Sequence, residues 1–155
     1  MTDQSNKWVP SGQSNEVGQR KQVRLLIIGD EAVEEGGSYY GQLKECAELC
    51  RHLFDITCNV AASGESGMKL IQGWEPTVVL LEAHLSDISS LDILRCGNEN
   101  SIPVVVTSHY RSHEIEETFT QGGAAAYLPK TDDPDDFEQI LHKIVNVASE
   151  AKITH

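Results

Sequence analysis

Four polar side chains stand at or just beyond the ends of apolar runs. Asp30 follows Val23-Arg24-Leu25-Leu26-Ile27-Ile28 after one glycine, Gly29, and Glu82 closes Thr77-Val78-Val79-Leu80-Leu81. Ser108 follows Ile102–Thr107, and Lys130 follows Ala125–Leu128 after Pro129. Carboxylates supply hard oxygen ligands for a cation and can act as nucleophiles. A lysine and a hydroxyl donate to anionic oxygens. Such chemistry needs all four groups in one place, so the question is which elements bring them together.

The positioning elements are legible as an alternation. The runs at 23–28, 56–60, 77–81, 102–107 and 125–128 are short, apolar and bounded by turn residues. That pattern marks strands buried on both faces. Between them lie segments of helical period. Ser38–Phe54 places Tyr39, Leu43, Cys46, Cys50 and Leu53 on one face, and Glu65–Trp74 carries Met68 and Ile71. Ser89–Cys96 is followed by a stop at Gly97-Asn98, Glu114–Gln121 ends at Gly122-Gly123, and Asp135–Ala151 starts after Pro134. Five strands alternating with five helices give an α/β fold of parallel βαβ units with right-handed crossovers and helices on both sheet faces. In such sheets ligands sit beyond the carboxyl ends of the strands, which is where Asp30, Glu82, Ser108 and Lys130 fall. Residues 1–22 read as a flexible polar tail interrupted by Trp8-Val9-Pro10, residues 23–150 as the domain, and 151–155 as a C-terminal tail.

Composition excludes several function classes. The 155 residues carry twelve basic and twenty-four acidic side chains, a formal net charge of −12, which offers no positive field for a nucleic-acid backbone. No apolar run is long enough to span a membrane, and the N-terminus lacks the apolar core of a secretory signal. Cys46, Cys50, Cys58 and Cys96 form no C-x-x-C pair, which points to a reducing cytoplasm and against a zinc site.

With the strand-end residues in place, 23–150 resembles the receiver domain of two-component response regulators. The resemblance rests on Leu25–Glu31, Glu75–Glu82, Ile102-Pro103-Val104 and Tyr127-Leu128-Pro129-Lys130, in that order and spacing. It implies a flavodoxin-like doubly wound (βα)5 fold with a five-stranded parallel sheet of order 2-1-3-4-5. It also implies phosphoryl transfer to an aspartate at the end of the third strand, assisted by magnesium. By this resemblance Glu82 occupies the phospho-acceptor position, and Asp30, with Glu31 beside it, the acidic pocket. Ser108 and Tyr127 take the switch positions, and Lys130 is the family's lysine.

Two departures shape the expectation. The acceptor is Glu82 where the family has aspartate, and the first acidic position is Gly29. Glutamate displaces the carboxylate by about 1.5 Å, and misplacement of that size costs on the order of 10²-fold in an in-line attack. Ser86 and Ser90 stand where the family usually has proline and glycine. The expectation is therefore an atypical receiver, a pseudo-receiver and not an enzyme. It is expected to hold no cofactor and no magnesium, although Glu31, Glu34 and Glu35 offer carboxylates that could fold back towards the site. It would act in cytoplasmic two-component-type signalling by protein–protein contact, independently of aspartyl phosphorylation. Glu82 either imitates the phosphorylated state or makes a structural ion pair with Lys130. The contact face would be the fourth helix, fifth strand and fifth helix. It presents Glu114, Glu116, Glu117, Asp132, Asp133 and Asp136 to a basic signalling partner, with homodimerisation open. The rival readings are a receiver phosphorylated weakly at a non-canonical residue and a small flavodoxin-like cofactor-binding protein.

Overall fold

The computed structural model describes residues 22–30, 39–109, 112–130 and 133–153. Five strands, β1 Gln22–Ile28, β2 Asp55–Ala61, β3 Val78–Glu82, β4 Val104–Ser108 and β5 Ala126–Pro129, pair in parallel in the order β2-β1-β3-β4-β5. Helices α1 Tyr39–Leu49, α2 Gly64–Gly73, α3 Ser90–Glu99, α4 His113–Gln121 and α5 Phe137–Ile153 connect or flank them, with a 3-10 turn at Pro134–Asp136 before α5. This is the doubly wound order the resemblance implies.

Composition and position in the sheet agree. The central strands β3 and β4 are almost wholly buried apolar runs, whereas the edge strands β2 and β5 are mostly half-buried. Cβ direction alternates along each strand and divides the core into two layers. Leu25, Ile27, Val78, Leu80 and Val105 pack on one face against Leu43 of α1 and Leu141 and Ile144 of α5. Leu26, Ile28, Val79, Leu81, Val104 and Val106 pack on the other against Ile71, Ile93, Leu94 and Phe119 of α2, α3 and α4. Each fully buried aliphatic side chain contributes about 1.5–3 kcal/mol relative to exposure.

Helix starts follow their caps. Ser63 Oγ accepts from the Ser66 amide at 3.2 Å, Ser89 Oγ from Leu91 at 3.2 Å and Ser112 Oγ from Ile115 at 3.3 Å. At the amino-terminal edge of the sheet, Arg24 Nη2 donates to the Trp74 carbonyl at 2.6 Å, and its guanidinium lies 4.2 Å from the Trp74 ring centroid.

Helix boundaries differ from the sequence reading in three places. The first helix stops at Leu49, and residues 50–53 form turns, with the Leu53 and Phe54 amides both donating to the Cys50 carbonyl. Leu53 is therefore off the buried face and 43% exposed, while Tyr40, not Tyr39, is the fully buried tyrosine. In α3, Gly97 does not end the helix. It is buried inside it, because a Cβ there would lie 2.6 Å from Val104 Cγ2. The helix is capped at Asn100, whose side-chain amide donates to the Cys96 carbonyl at 2.8 Å. At the C-terminus α5 continues to Ile153, past the boundary at 150. The N-terminal tail up to residue 21 lies outside the described residues, as do Glu31, Glu34, Glu35 and Asp132. Among the described residues no helix is long and apolar enough to cross a membrane.

Candidate functional site

Glu82 is the last residue of β3, at the carboxyl edge of the sheet and on the face that α1 covers. Its backbone is anchored by Ser90, whose hydroxyl donates to the Glu82 carbonyl at 2.8 Å from the first turn of α3. Lys130 is placed by the adjoining strand. The Lys130 amide donates to the Ser108 carbonyl at 2.9 Å, extending the β4–β5 ladder by one bond. Two long side chains from neighbouring strand ends then meet, and Lys130 Nζ forms an ion pair with Glu82 Oε1. The lysine side chain is 2% exposed and the glutamate 14%, so the pair is screened little by solvent.

A third group shares the same oxygen. Tyr40, in the first turn of α1, donates its hydroxyl to Glu82 Oε1. The Lys130 ammonium lies 4.6 Å from the centroid of the Tyr40 ring and 5.3 Å from that of Tyr39. The two tyrosine rings meet edge-on at 5.2 Å, and Tyr39 packs against Phe137 of α5 at 5.4 Å. The ion pair therefore sits in a small aromatic box. Ring quadrupoles favour a cation above their faces, and the carboxylate supplies the opposing charge.

Tyr39 and Thr107 line the floor of this box. Register places Thr107 beside Glu82 and Pro129 beside Ser108. The Tyr39 and Thr107 hydroxyls are buried without a well-formed hydrogen bond among the described residues. Burial pushes the Tyr39 phenol up to about 12; the neighbouring Thr107 hydroxyl opposes the shift and the charge of Glu82 adds to it.

The remaining expected residues spread around this centre. Alternation along β4 puts Ser108 on the face of Val104 and Val106, the face opposite Glu82, and it is fully buried. Tyr127 is partly buried against the same second layer. Asp30 is exposed, and its Oδ1 accepts from the Ser86 amide at 3.4 Å, facing the β3–α3 loop. That loop is also held by Asp87, which accepts from the Gly64 and Glu65 amides at 2.9 and 3.0 Å. Those two amides, at the start of α2, hold the Asp87 carboxyl below its ordinary range. The structure thus joins Glu82 to Lys130 directly and places Asp30 on the neighbouring loop.

Sequence reasoning missed Tyr40, Thr107 and the tether from Ser90. Tyr40 precedes Leu43 by three and Ala47 by seven, a helical face as valid as the one drawn through Tyr39. The signal was there, but two adjacent tyrosines fit two faces. Thr107 was hidden as the end of an apolar run.

Comparison with known proteins agrees with this geometry. No family model matches the chain. The nitrate/nitrite response regulator protein NarL of Escherichia coli (strain K12) is 32% identical over 92 residues, covering 57% of this chain and 43% of that protein. Regulatory protein LuxO of Vibrio cholerae is 26% identical over 100 residues, 63% of this chain and 22% of its own. The chain thus spans less than half the length of these curated relatives. Among solved structures, a CheY-like receiver domain protein from Methanospirillum hungatei JF-1 superposes with a TM-score of 0.68 at 20% identity, covering 87% of this chain and all of that one. The receiver domain of a NarL from Mycobacterium tuberculosis gives 0.68 at 16% identity over 83% of this chain and 98% of its own. With the strand order and these likenesses in agreement, the chain has the fold of response-regulator receiver domains, and over 92 residues its sequence is similar to that of a response regulator.

Proposed function

We propose that this receiver domain signals by protein–protein contact without aspartyl phosphorylation. The observation that supports the reading is the engagement of Glu82 Oε1 by both Lys130 and Tyr40. A carboxylate that is to attack phosphorus must present a free oxygen in line with the leaving group. Here one of the two carboxylate oxygens, Oε1, is held by two donors that fix the orientation of the group, on a side chain one methylene longer than aspartate. Lys130, which by family resemblance would receive a phosphoryl oxygen, already has its anion. The pairing supplies one carboxylate charge in place of a phosphoryl group's −1.5 to −2 (roughly), so Lys130 is held in one arrangement whether or not a phosphodonor is present.

The contact surface in this reading is the α4–β5–α5 side. Glu114, Glu116, Glu117 and Asp133 are exposed there, and Asp136 is half-buried. A basic surface on a signalling partner complements it, and such complementarity acts chiefly on association rate and specificity. The test has two arms. Incubation with a labelled small phosphodonor and magnesium should leave the protein unlabelled. Partner capture should be unaffected by the donor and fall sharply in Glu114→Lys/Glu117→Lys. Label on Glu82, or capture that depends on the donor, would sink the proposal.

A further inference from the structure

Gly29 and Tyr40 read separately as a lost ligand and a core aromatic, yet they occupy one space. A Cβ built on Gly29 would lie 2.9 Å from Tyr40 Cε2 and 3.3 Å from both Cζ and Oη. Real Cβ atoms essentially never come within 3.0 Å of a neighbour. Tyr40 cannot swing aside cheaply, because its ring is 2% exposed, packs edge-on against Tyr39 and is tied through its hydroxyl to Glu82. Gly29 itself is held by its amide, which donates to the Ala61 carbonyl at 3.0 Å, so the backbone is not free to move away either.

The same ring bears on the divalent cation that the receiver fold implies. Magnesium needs oxygen ligands at about 2.0–2.1 Å in near-octahedral array and keeps several of its waters. Position 29 offers no side-chain oxygen, Glu82 Oε1 is already bonded to Lys130 and Tyr40, and the ring tip fills the space beside Gly29. Among the described residues no three His, Cys, Asp or Glu side chains converge to hold a metal. The donor set does not fit the ion.

We infer that Tyr40 is the residue that closes the acidic pocket of this receiver to divalent cations, and that Gly29 and Tyr40 form one exchange in which a carboxylate is replaced by a ring. The inference deepens the reading under Proposed function and rests on it for its signalling meaning, but its steric core stands apart. Closure follows from the volume of the ring tip and not only from the absent carboxylate. Restoring the carboxylate alone must therefore fail.

The test is a cycle built on Tyr40→Leu, which removes the three ring-tip atoms nearest Gly29 while keeping an apolar side chain in the core. Gly29→Ala in the natural background should shift the folding equilibrium by roughly tenfold or more towards unfolding, as overpacking does. The same change beside Tyr40→Leu should cost clearly less. For the cation, Mn²⁺ is the probe, read as paramagnetic broadening of the Asp30, Glu82 and Ala83 amide signals. Gly29→Asp/Tyr40→Leu should show broadening at a Mn²⁺ concentration at least tenfold lower than the natural protein requires. Gly29→Asp alone and Tyr40→Phe, which keeps the ring, should stay as silent as the natural chain. Equal cost of Gly29→Ala in both backgrounds would overturn the steric exchange. So would broadening in Tyr40→Phe matching that of the double variant, or specific broadening in the natural protein at low millimolar Mn²⁺. Phosphodonor labelling is a separate measurement, so failure of the signalling proposal is distinguishable from failure of the closure.

Discussion

At the scale of residues, the balance in the aromatic box is between desolvation and pairing. Burying a carboxylate and an ammonium costs several kcal/mol per ion unless each meets the other with good geometry. Glu82 and Lys130 meet this way, and Tyr40 satisfies a further lone pair of the carboxylate. Removing one partner is then far worse than removing both. Lys130→Ala should destabilise by about 3–5 kcal/mol, measured by chemical denaturation. Glu82→Leu/Lys130→Met with Tyr40→Phe, which leaves no orphaned phenol, should fall within about 1.5 kcal/mol of the natural protein. A second prediction concerns Tyr39. Its phenol is raised in the folded state from 10.0 to about 12, so folding favours the neutral form. The stability this represents is fully present below pH 10 and is lost as pH rises from there through about 12. Alkaline unfolding followed by circular dichroism should shift to higher pH in Tyr39→Phe. That variant should be no less stable at neutral pH, because it deletes a buried hydroxyl that lacks a well-formed hydrogen bond.

At the scale of elements, the strands were readable, and so were the ends of α2 and α4 to within one residue, whereas the ends of α1, α3 and α5 were not. Leu25–Ile28, Val78–Leu81 and Val104–Val106 are apolar at every position because both faces of the sheet are covered there, and their shortness and β-branched content mark them as strands. Gly97 misled because glycine has two uses. It ends helices where φ is positive, and it also permits close approach of a helix to its neighbour. Only the position of Val104 shows which use applies here. Gly97→Ala illustrates the point, since helix propensity alone predicts a gain of about 1 kcal/mol. The contact with Val104 Cγ2 at 2.6 Å should reverse the sign, giving a net loss of about 1–3 kcal/mol. Gly97→Ala should cost less in a Val104→Ala background than in the natural one if the methyl contact is the cause, a difference read from the denaturant midpoints of all four proteins in the cycle. The candidate site divides in the same manner. Glu82 and Lys130 were legible because strand ends are marked in sequence, whereas the Gly29–Tyr40 contact joins residues on separate elements and has no local signature.

At the scale of the whole molecule, a formal charge of −12 on a chain of this size makes self-repulsion a general term against compactness. Local pairs offset little of it. Lys69–Glu65 and Arg95–Asp92 are exposed i,i+4 and i,i+3 pairs at 3.9 and 3.1 Å, of a kind contributing about 0.3–0.5 kcal/mol each. Moderate salt, which shortens the Debye length to about 10 Å at 0.1 M, should therefore raise the thermal midpoint at pH 8. The same addition near the sequence isoelectric point of about 4.8 should raise it less. Equal salt responses at the two pH values, measured by differential scanning calorimetry, would rule out net charge as the cause.

The brace between Arg24 and Trp74 has an optical consequence. An indole under a guanidinium at 4.2 Å, with its own carbonyl bonded to that cation, has an emission set by one docked geometry of α2 against β1. Trp8 is the other tryptophan in the sequence, so Trp8→Phe leaves Trp74 as the single tryptophan, excited selectively above the tyrosine band. Arg24 lies near the amino end of β1, and Gly29 and Glu82 at the carboxyl end of the sheet. Light from Trp74 therefore follows the docking of α2 on the sheet, and ligands or substitutions in the aromatic box should leave its colour unchanged as long as the sheet holds.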